Sequence, residues 1–227
     1  MYKRILCAAL AFGLALACLG GTGSPLPQVN EPPNLYPHKL LLADYVDSGG
    51  YARDIAEVAL EANKYLIKRL ARPAKPGEKL AVVFDIDETT LSNLPHIRAN
   101  DWGYVPRIWD NWVAEAQAHA IIPVQIIYDT AVRGKLDVFF ITGRTESDRP
   151  GTERNLRDVG YDKWTRIFYK PVDDPTLTTA GFKIDVRRKL TQQGYVIVLN
   201  IGDQESDLRG GFAERTFKLP NPFYLIY

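Results

Sequence analysis

Two carboxylates, Asp85 and Asp87, stand two residues apart directly after the apolar run Lys79-Leu-Ala-Val-Val-Phe84. Such a run suits a strand buried on both faces of a parallel sheet, so the acids begin where a buried strand ends. Carboxylates in that position are costly unless a cation or another polar partner compensates them. Taken alone, the pair points to metal chemistry. The plainer alternative, two solvated acids in a surface turn, fits poorly with the apolar strand that feeds them. The same grammar returns twice: Lys135-Leu-Asp-Val-Phe-Phe-Ile141 stops at Thr142-Gly143-Arg144, and Tyr195-Val-Ile-Val-Leu-Asn-Ile201 stops at Gly202-Asp203.

The elements that must bring these ends together are legible from periodicity. Helical patterns over 124–134, 149–159 and 179–193 separate the apolar runs, and Arg166-Ile-Phe-Tyr169 is a shorter fourth strand. Strand alternating with helix predicts an α/β fold, a Rossmann-like and mostly parallel sheet flanked by helices. In such sheets the ligand lies beyond the carboxyl ends of the strands, where each run meets its polar residue. From Tyr51 to Ala71, Ile55, Val58, Ala59, Ala62, Leu66 and Leu70 recur at helical spacing, which predicts an amphipathic packing helix. The segment 91–122, longer than a crossover needs and holding Trp102, Tyr104, Trp109 and Trp112, reads as a small helical cap. Its aromatics suit a small core first, and stacking on a planar ring of a ligand second.

Composition narrows the function classes. Of 227 residues, 46% are hydrophobic and 24% charged, as in a folded globular protein. Lys and Arg number 28 against 27 Asp and Glu, so no overall field gathers nucleic acid, and a polymeric nucleic-acid partner is not expected. The basic start Met-Tyr-Lys-Arg, the apolar run Ile5 to Leu19 and the small residues after it read as a signal peptide over 1–18. Residues 19–37 read as a flexible tether, and 38–227 as the folded domain. Both cysteines, Cys7 and Cys18, lie in the export segment, which leaves the mature chain no internal disulfide. Ala15-Leu16-Ala17-Cys18 fits either an ordinary cleavage site or an imperfect lipobox with lipid on Cys18. Either reading puts the protein outside the cytoplasm: periplasmic, lipid-anchored or secreted. The three histidines, His38, His96 and His119, have no metal-binding spacing.

Four motifs in order carry a family resemblance. Asp85-Ile-Asp87-Glu-Thr, Phe140-Ile-Thr142-Gly-Arg, Lys183 and Gly202-Asp203-Gln-Glu-Ser-Asp207 resemble the motifs of haloacid dehalogenase (HAD) phosphatases. The forms are most similar to class B plant-type acid phosphatases and bacterial lipoprotein acid phosphatases, over roughly residues 38–227. The resemblance implies a Mg²⁺-dependent acid phosphatase acting on small phosphate monoesters, nucleotides among them. It implies Asp85 as nucleophile, Asp87 as general acid, and a metal held by Asp85, the Asp87 backbone carbonyl and Asp203. It further implies phosphate binding by Thr142, Gly143 and Lys183, with Asp207 supporting through water or by orienting Lys183. Chemistry agrees: phosphoryl transfer needs an in-line nucleophile, charge neutralisation and a proton for the leaving oxygen. An all-oxygen donor set suits Mg²⁺ better than zinc.

Alternatives attach to several positions. Thr142 would serve equally as a cap at a strand-to-helix turn. Lys170 follows a strand and competes with Lys183, while His96 and Arg144 lie close enough in sequence to the motifs to reach a substrate. At the level of function, a receiver domain also combines acids, a Thr and a Lys, but its phosphorylated Asp lies on a later strand than its metal-binding acids. A binding or storage protein on the same fold would lack the nucleophile, and a phosphotransferase would share every residue named. The oligomeric state and the preferred ester are not written in the sequence.

Overall fold

In a computed structural model that describes residues 32–72, 75–174 and 176–226, the apolar runs are strands and the periodic segments are helices. The chain runs α1 (Leu35–Asp47), α2 (Gly50–Leu70), β1 (Lys79–Phe84), β2 (Leu91–Ser92), α3 (Leu94–Ala99), α4 (Pro106–Glu115), β3 (His119–Ala120) and α5 (Ile122–Arg133). It continues through β4 (Asp137–Thr142), α6 (Arg149–Asp158), β5 (Arg166–Tyr169), α7 (Thr179–Gln192), β6 (Tyr195–Gly202), α8 (Glu205–Leu208) and β7 (Thr216–Lys218). The expected signal peptide, including Cys7 and Cys18, and residues 19–31 of the expected tether lie outside the described residues. Among the described residues, no helix is long and apolar enough to cross a membrane.

The sheet is the α/β sheet expected, five parallel strands in the order β5-β4-β1-β6-β7. β1 is central: Phe84 lies beside Phe140 of β4 on one side and Ile201 of β6 on the other. Strand alternation sends its side chains to two cores. Val82 and Phe84 join Leu66 of α2 and Ile127 of α5 on one face, while Ala81 and Val83 join Phe182, Val186 and Leu190 of α7 on the other. Each buried side chain of this size contributes about 1.5–3 kcal/mol. That double coverage is why β1 reads as a continuous apolar run. It also fixes the height at which Asp85 leaves the sheet.

Two features depart from expectation. α1 begins at Leu35, inside the stretch expected to be tether. Pro37, which reads as a breaker, sits in the first turn of that helix, where its missing N–H would have had no intrahelical acceptor. β7 was not foreseen, because three residues at a sheet edge carry no periodic signal. The segment between β1 and α5 holds α3 and α4, and its two ends pair as a short antiparallel ribbon, Leu91 beside Ala120 and Ser92 beside His119. This ribbon anchors the segment's base to the turn that carries Asp85 and Asp87.

α4 is further held against α6 by a close backbone approach at Gly151, where a Cβ would stand 2.2 Å from the Val113 carbonyl oxygen. Gly151→Ala is therefore expected to lower stability by roughly 1–3 kcal/mol in urea unfolding, through forced separation of the two helices. A midpoint equal to wild type would show that α4 yields without cost.

Candidate active site

Asp85 leaves β1 at the point where the chain's order reverses, since β4 and β5 extend the sheet to one side of β1, and β6 and β7 to the other. A crevice at such a switch point is where open α/β sheets bind ligands. Asp85 is buried, and its Oδ1 accepts a hydrogen bond from Lys183 Nζ, which comes from the first turns of α7. The same ammonium donates to Asp207 Oδ1 at 2.6 Å. Asp207 Oδ2 accepts from the Gln204 backbone N–H at 2.8 Å, so the acid is locked into the turn after β6. Gly202 is required there, because a Cβ at that position would stand 2.3 Å from Asp207 Oδ2.

Asp203 follows at the end of β6 and is almost wholly buried. Its Oδ1 accepts from the Thr89 hydroxyl at 3.1 Å, and its Oδ2 from the side-chain amides of Gln204 at 2.7 Å and Asn221 at 2.6 Å. Asp85, Asp203 and Asp207 offer carboxylate oxygens all within 4.8 Å of one another. Three buried carboxylates against one ammonium leave a net negative charge in a dry place, which costs several kcal/mol unless compensated. Burial pushes the Asp85 carboxyl well up, Lys183 opposes this, and Asp207, Asp203 and Asp87 add to it. Burial works against the charge of Lys183, but Asp207 and Asp85 outweigh it and hold the ammonium protonated. The donor chemistry and charge deficit of this triad fit a divalent cation.

The carboxylate of Asp87 stands apart from that triad. Arg144, from the loop after β4, grips it with Nη2 to Oδ1 at 2.7 Å and Nε to Oδ1 and Oδ2 at 3.1 and 3.2 Å, and Asn93 Nδ2 adds a bond to Oδ1 at 2.8 Å. Arg144 is itself fixed by donating to Thr152 Oγ1 at 2.9 Å and by lying 5.4 Å from the Trp109 ring centroid. Glu88, in the left-handed region at φ 54, turns its buried carboxylate the other way. It accepts from the Asn93 backbone N–H at 2.6 Å and from the Tyr224 hydroxyl at 2.9 Å.

These groups line one cavity of about 610 Å³, which Asp85, Asp87, Lys183, Asp203 and Asp207 share with Arg144 and Gly143. Trp102, Tyr104 and Trp109 form its aromatic wall, with Phe223 and Tyr224 from the C-terminal segment. The four aromatics of the insert therefore divide: Trp112 instead packs on the core and donates to Asn93 Oδ1 at 2.8 Å. Thr142 is not on the cavity wall. It is fully buried, and its hydroxyl accepts from the Arg144 backbone N–H at 3.1 Å, shaping the turn rather than facing the cavity. Lys170 is also absent from the wall; its backbone N–H donates to the Arg144 carbonyl at 2.8 Å. His96 lines the cavity, buried beside Trp109 and Trp112 with ring centroids 5.6 and 5.5 Å away. Sequence reasoning passed over Glu88, Asn93, Gln204 and Asn221, and left Arg144 unchosen. Arg144, Glu88 and Gln204 carried a signal, since they lie within the motifs, whereas Asn93 and Asn221 carried none.

Residues 34–227 match the family model of HAD superfamily, subfamily IIIB (Acid phosphatase). The chain belongs to this family. It is similar to acid phosphatase 1 of Solanum lycopersicum, 35% identical over 211 residues covering 87% of this chain and 81% of the relative. The stem 28 kDa glycoprotein of Glycine max is 36% identical over 189 residues, 81% of this chain and 72% of the relative. Among solved structures, the class C acid phosphatase from Bacillus anthracis superposes with a TM-score of 0.69 at 26% identity, covering 84% of this chain and 86% of that one. Membership of subfamily IIIB makes the protein an acid phosphatase, an enzyme of phosphoric monoester hydrolysis.

The buried acids carry a pH signature. Glu88 is pushed up to about 7 by burial and then by Asp87, from an ordinary 4.5, and Asp203 to about 7 by burial and then by Asp207, from 3.8. The folded metal-free protein thus holds protons that the unfolded chain has already released. The stability this contributes is full below the ordinary carboxylate range and is lost as pH rises through about 7. The melting temperature of EDTA-treated protein is expected to fall between about pH 5 and pH 8, less steeply in Glu88→Gln. A melting temperature that rises over that range would contradict uncompensated burial of these acids.

Proposed function

We propose that this acid phosphatase is an exported, Mg²⁺-dependent enzyme that hydrolyses small phosphate monoesters through a phosphorylated Asp85. The observation that carries the reading is the sharing of Lys183 between Asp85 and Asp207 at the switch point of the sheet, beside an Asp87 clamped by Arg144. Export rests on the basic and apolar N-terminal segment, in which Cys18 is the candidate for lipidation.

Asp85 and Asp203, with the Asp87 backbone carbonyl, would hold Mg²⁺, and Asp207 supports the site by orienting Lys183. Bound there, the ion supplies positive charge that favours ionised carboxylates and offsets charge on the phosphoryl oxygens. In the first half-reaction a carboxylate oxygen of Asp85 bonds to phosphorus as the bond to the leaving oxygen breaks. Asp87 gives its proton to that oxygen. It must therefore carry the proton when substrate binds, which mildly acidic solution favours. In the second half-reaction Asp87 takes a proton from water as the water oxygen attacks phosphorus, which releases phosphate and frees Asp85. Lys183, the backbone around Gly143 and the turn shaped by Thr142 bind the phosphoryl oxygens.

The cavity volume lies within the range of small-molecule sites. Trp102, Tyr104 and Trp109 give the cavity an aromatic wall, which suits esters with an aromatic portion, such as nucleoside monophosphates. A storage or binding protein on this fold has no use for a nucleophile, yet Asp85 and its ammonium are both present. Transfer of the phosphoryl group to an alcohol would use the same first step, and trapping by an added nucleoside acceptor reports it.

Hydrolysis of p-nitrophenyl phosphate is expected in Mg²⁺, strongest at acidic pH, abolished by EDTA and reduced roughly 10³-fold or more in Asp85→Asn. Wild-type inactivity in every condition, or an active Asp85→Asn, would remove the nucleophile assignment and leave the binding-protein reading.

A further inference from the structure

The C-terminal segment 220–226 takes part in the site although it lies far from every motif. Asn221 Nδ2 donates to Asp203 Oδ2 at 2.6 Å across 18 positions of sequence. The same side chain accepts at Oδ1 from the backbone N–H groups of Phe223 at 2.9 Å and Tyr224 at 3.4 Å. One amide therefore builds the turn of the segment and holds the acid at once. Gln204, which also donates to Asp203 Oδ2, accepts at Oε1 from the Ile226 N–H at 3.0 Å and donates to the Tyr224 carbonyl. The segment's far end is fixed to the insert and the first motif: Phe223 stacks on Trp102 at 5.5 Å and meets Tyr51 edge-on at 5.0 Å, and the Tyr224 hydroxyl donates to Glu88.

A carboxylate has about four lone-pair positions, and their occupation decides which oxygen can face a cation. Oδ2 of Asp203 receives two amide donors, whereas among the described residues Oδ1 receives only the Thr89 hydroxyl. Two hydrogen bonds on one oxygen hold the carboxylate plane and leave Oδ1 with a position to spare.

We propose that Asn221 is a positioning residue for the metal ligand Asp203, carried on a C-terminal strap that ties this ligand to Trp102 of the insert. The proposal rests on the reading of Asp203 as a metal ligand. The Mg²⁺ dissociation constant is to be measured by titration calorimetry on the purified protein and on Asn221→Ala and Asn221→Ser. The serine hydroxyl can still accept from the following N–H groups and so keeps the turn, but it has no amide to reach Asp203. Both variants are expected to bind Mg²⁺ roughly tenfold more weakly than wild type. Their phosphatase activity should return as Mg²⁺ is raised, with KM for the ester unchanged. The metal-free Asn221→Ser protein should melt within about 4 °C of wild type, since one hydrogen bond is lost, and Asn221→Ala lower, since the two that build the turn go with it.

Two variants that fold and bind Mg²⁺ within about twofold of wild type would overturn the proposal while leaving the metal site intact. Activity lost in both and not restored by Mg²⁺ would overturn it as well, because a purely structural role does not respond to the ion. A wild type that hydrolyses ester yet binds no Mg²⁺ would remove the metal reading itself, and the strap with it.

Discussion

The ammonium of Lys183 lies buried between Asp85 and Asp207, and the site is arranged around that charge. Two carboxylates this close cannot both stay ionised in a dry crevice without a cation between them. Lys183 can supply it because α7 begins over the sheet ends, with Thr178 capping its first turn by accepting from the Gly181 N–H. Phe182 and Val186 of the same helix enter the core under β1 and β4, which fixes the helix's rotation and so the direction of the lysine between them. Packing on one face of α7 thereby determines the electrostatics of the site at its N-terminal end. With Asp203 the three carboxylates remain two positive charges short, and that shortfall is what recommends the triad as a divalent-cation site.

Much of this was legible because the sheet is buried on both faces. A strand with no solvent face is apolar almost throughout, Asn200 of β6 excepted, so the polar residues after the run mark its end, and Asp85, Thr142 and Asp203 each announced themselves that way. Helices such as α2 were legible for a related reason: Ile55, Ala59, Ala62 and Leu66 must all meet the core, and 3.6-residue periodicity follows. Illegible features are those whose stabilising partners are remote. α1 buries none of its residues, so it carries no strong apolar stripe, and it has a proline in its first turn. β7 exists because β6 offers it an edge, and three residues of chain cannot say so.

The same distinction separates the residues that were read in the site from those that were not. Asp203 and Asp207 lie within one turn, and Gly202 between strand and turn is demanded by the return of the Asp207 side chain. Asn221, Phe223 and Tyr224 reach the site only through the course of β7 and the chain after it, and no spacing rule connects them to Asp203 or Glu88. Thr142 shows a subtler limit. A hydroxyl at a strand end was readable both as a phosphate ligand and as a helix cap; it accepts from the Arg144 N–H and shapes the turn, while Thr145 caps the helical turn that follows. Through the turn it shapes, Thr142 sets where the Arg144 guanidinium can go.

Arg144 in turn explains how one strand end can carry two acids with different work in the proposed reaction. Asp85 and Asp87 are separated by Ile86, which is wholly buried, so their side chains leave the turn toward different partners. Asp85 faces an ammonium and two further acids in the driest part of the site. Asp87 faces a guanidinium and an amide at the more open side, where its side chain keeps 20% of its exposure. A nucleophile needs a fixed, ionised oxygen shielded from water, whereas a group that gives and then recovers a proton needs contact with water and the leaving group. Two carboxyls of similar intrinsic acidity can divide such roles only if their surroundings differ. Lys183 and Arg144, brought in by separate elements, make that difference.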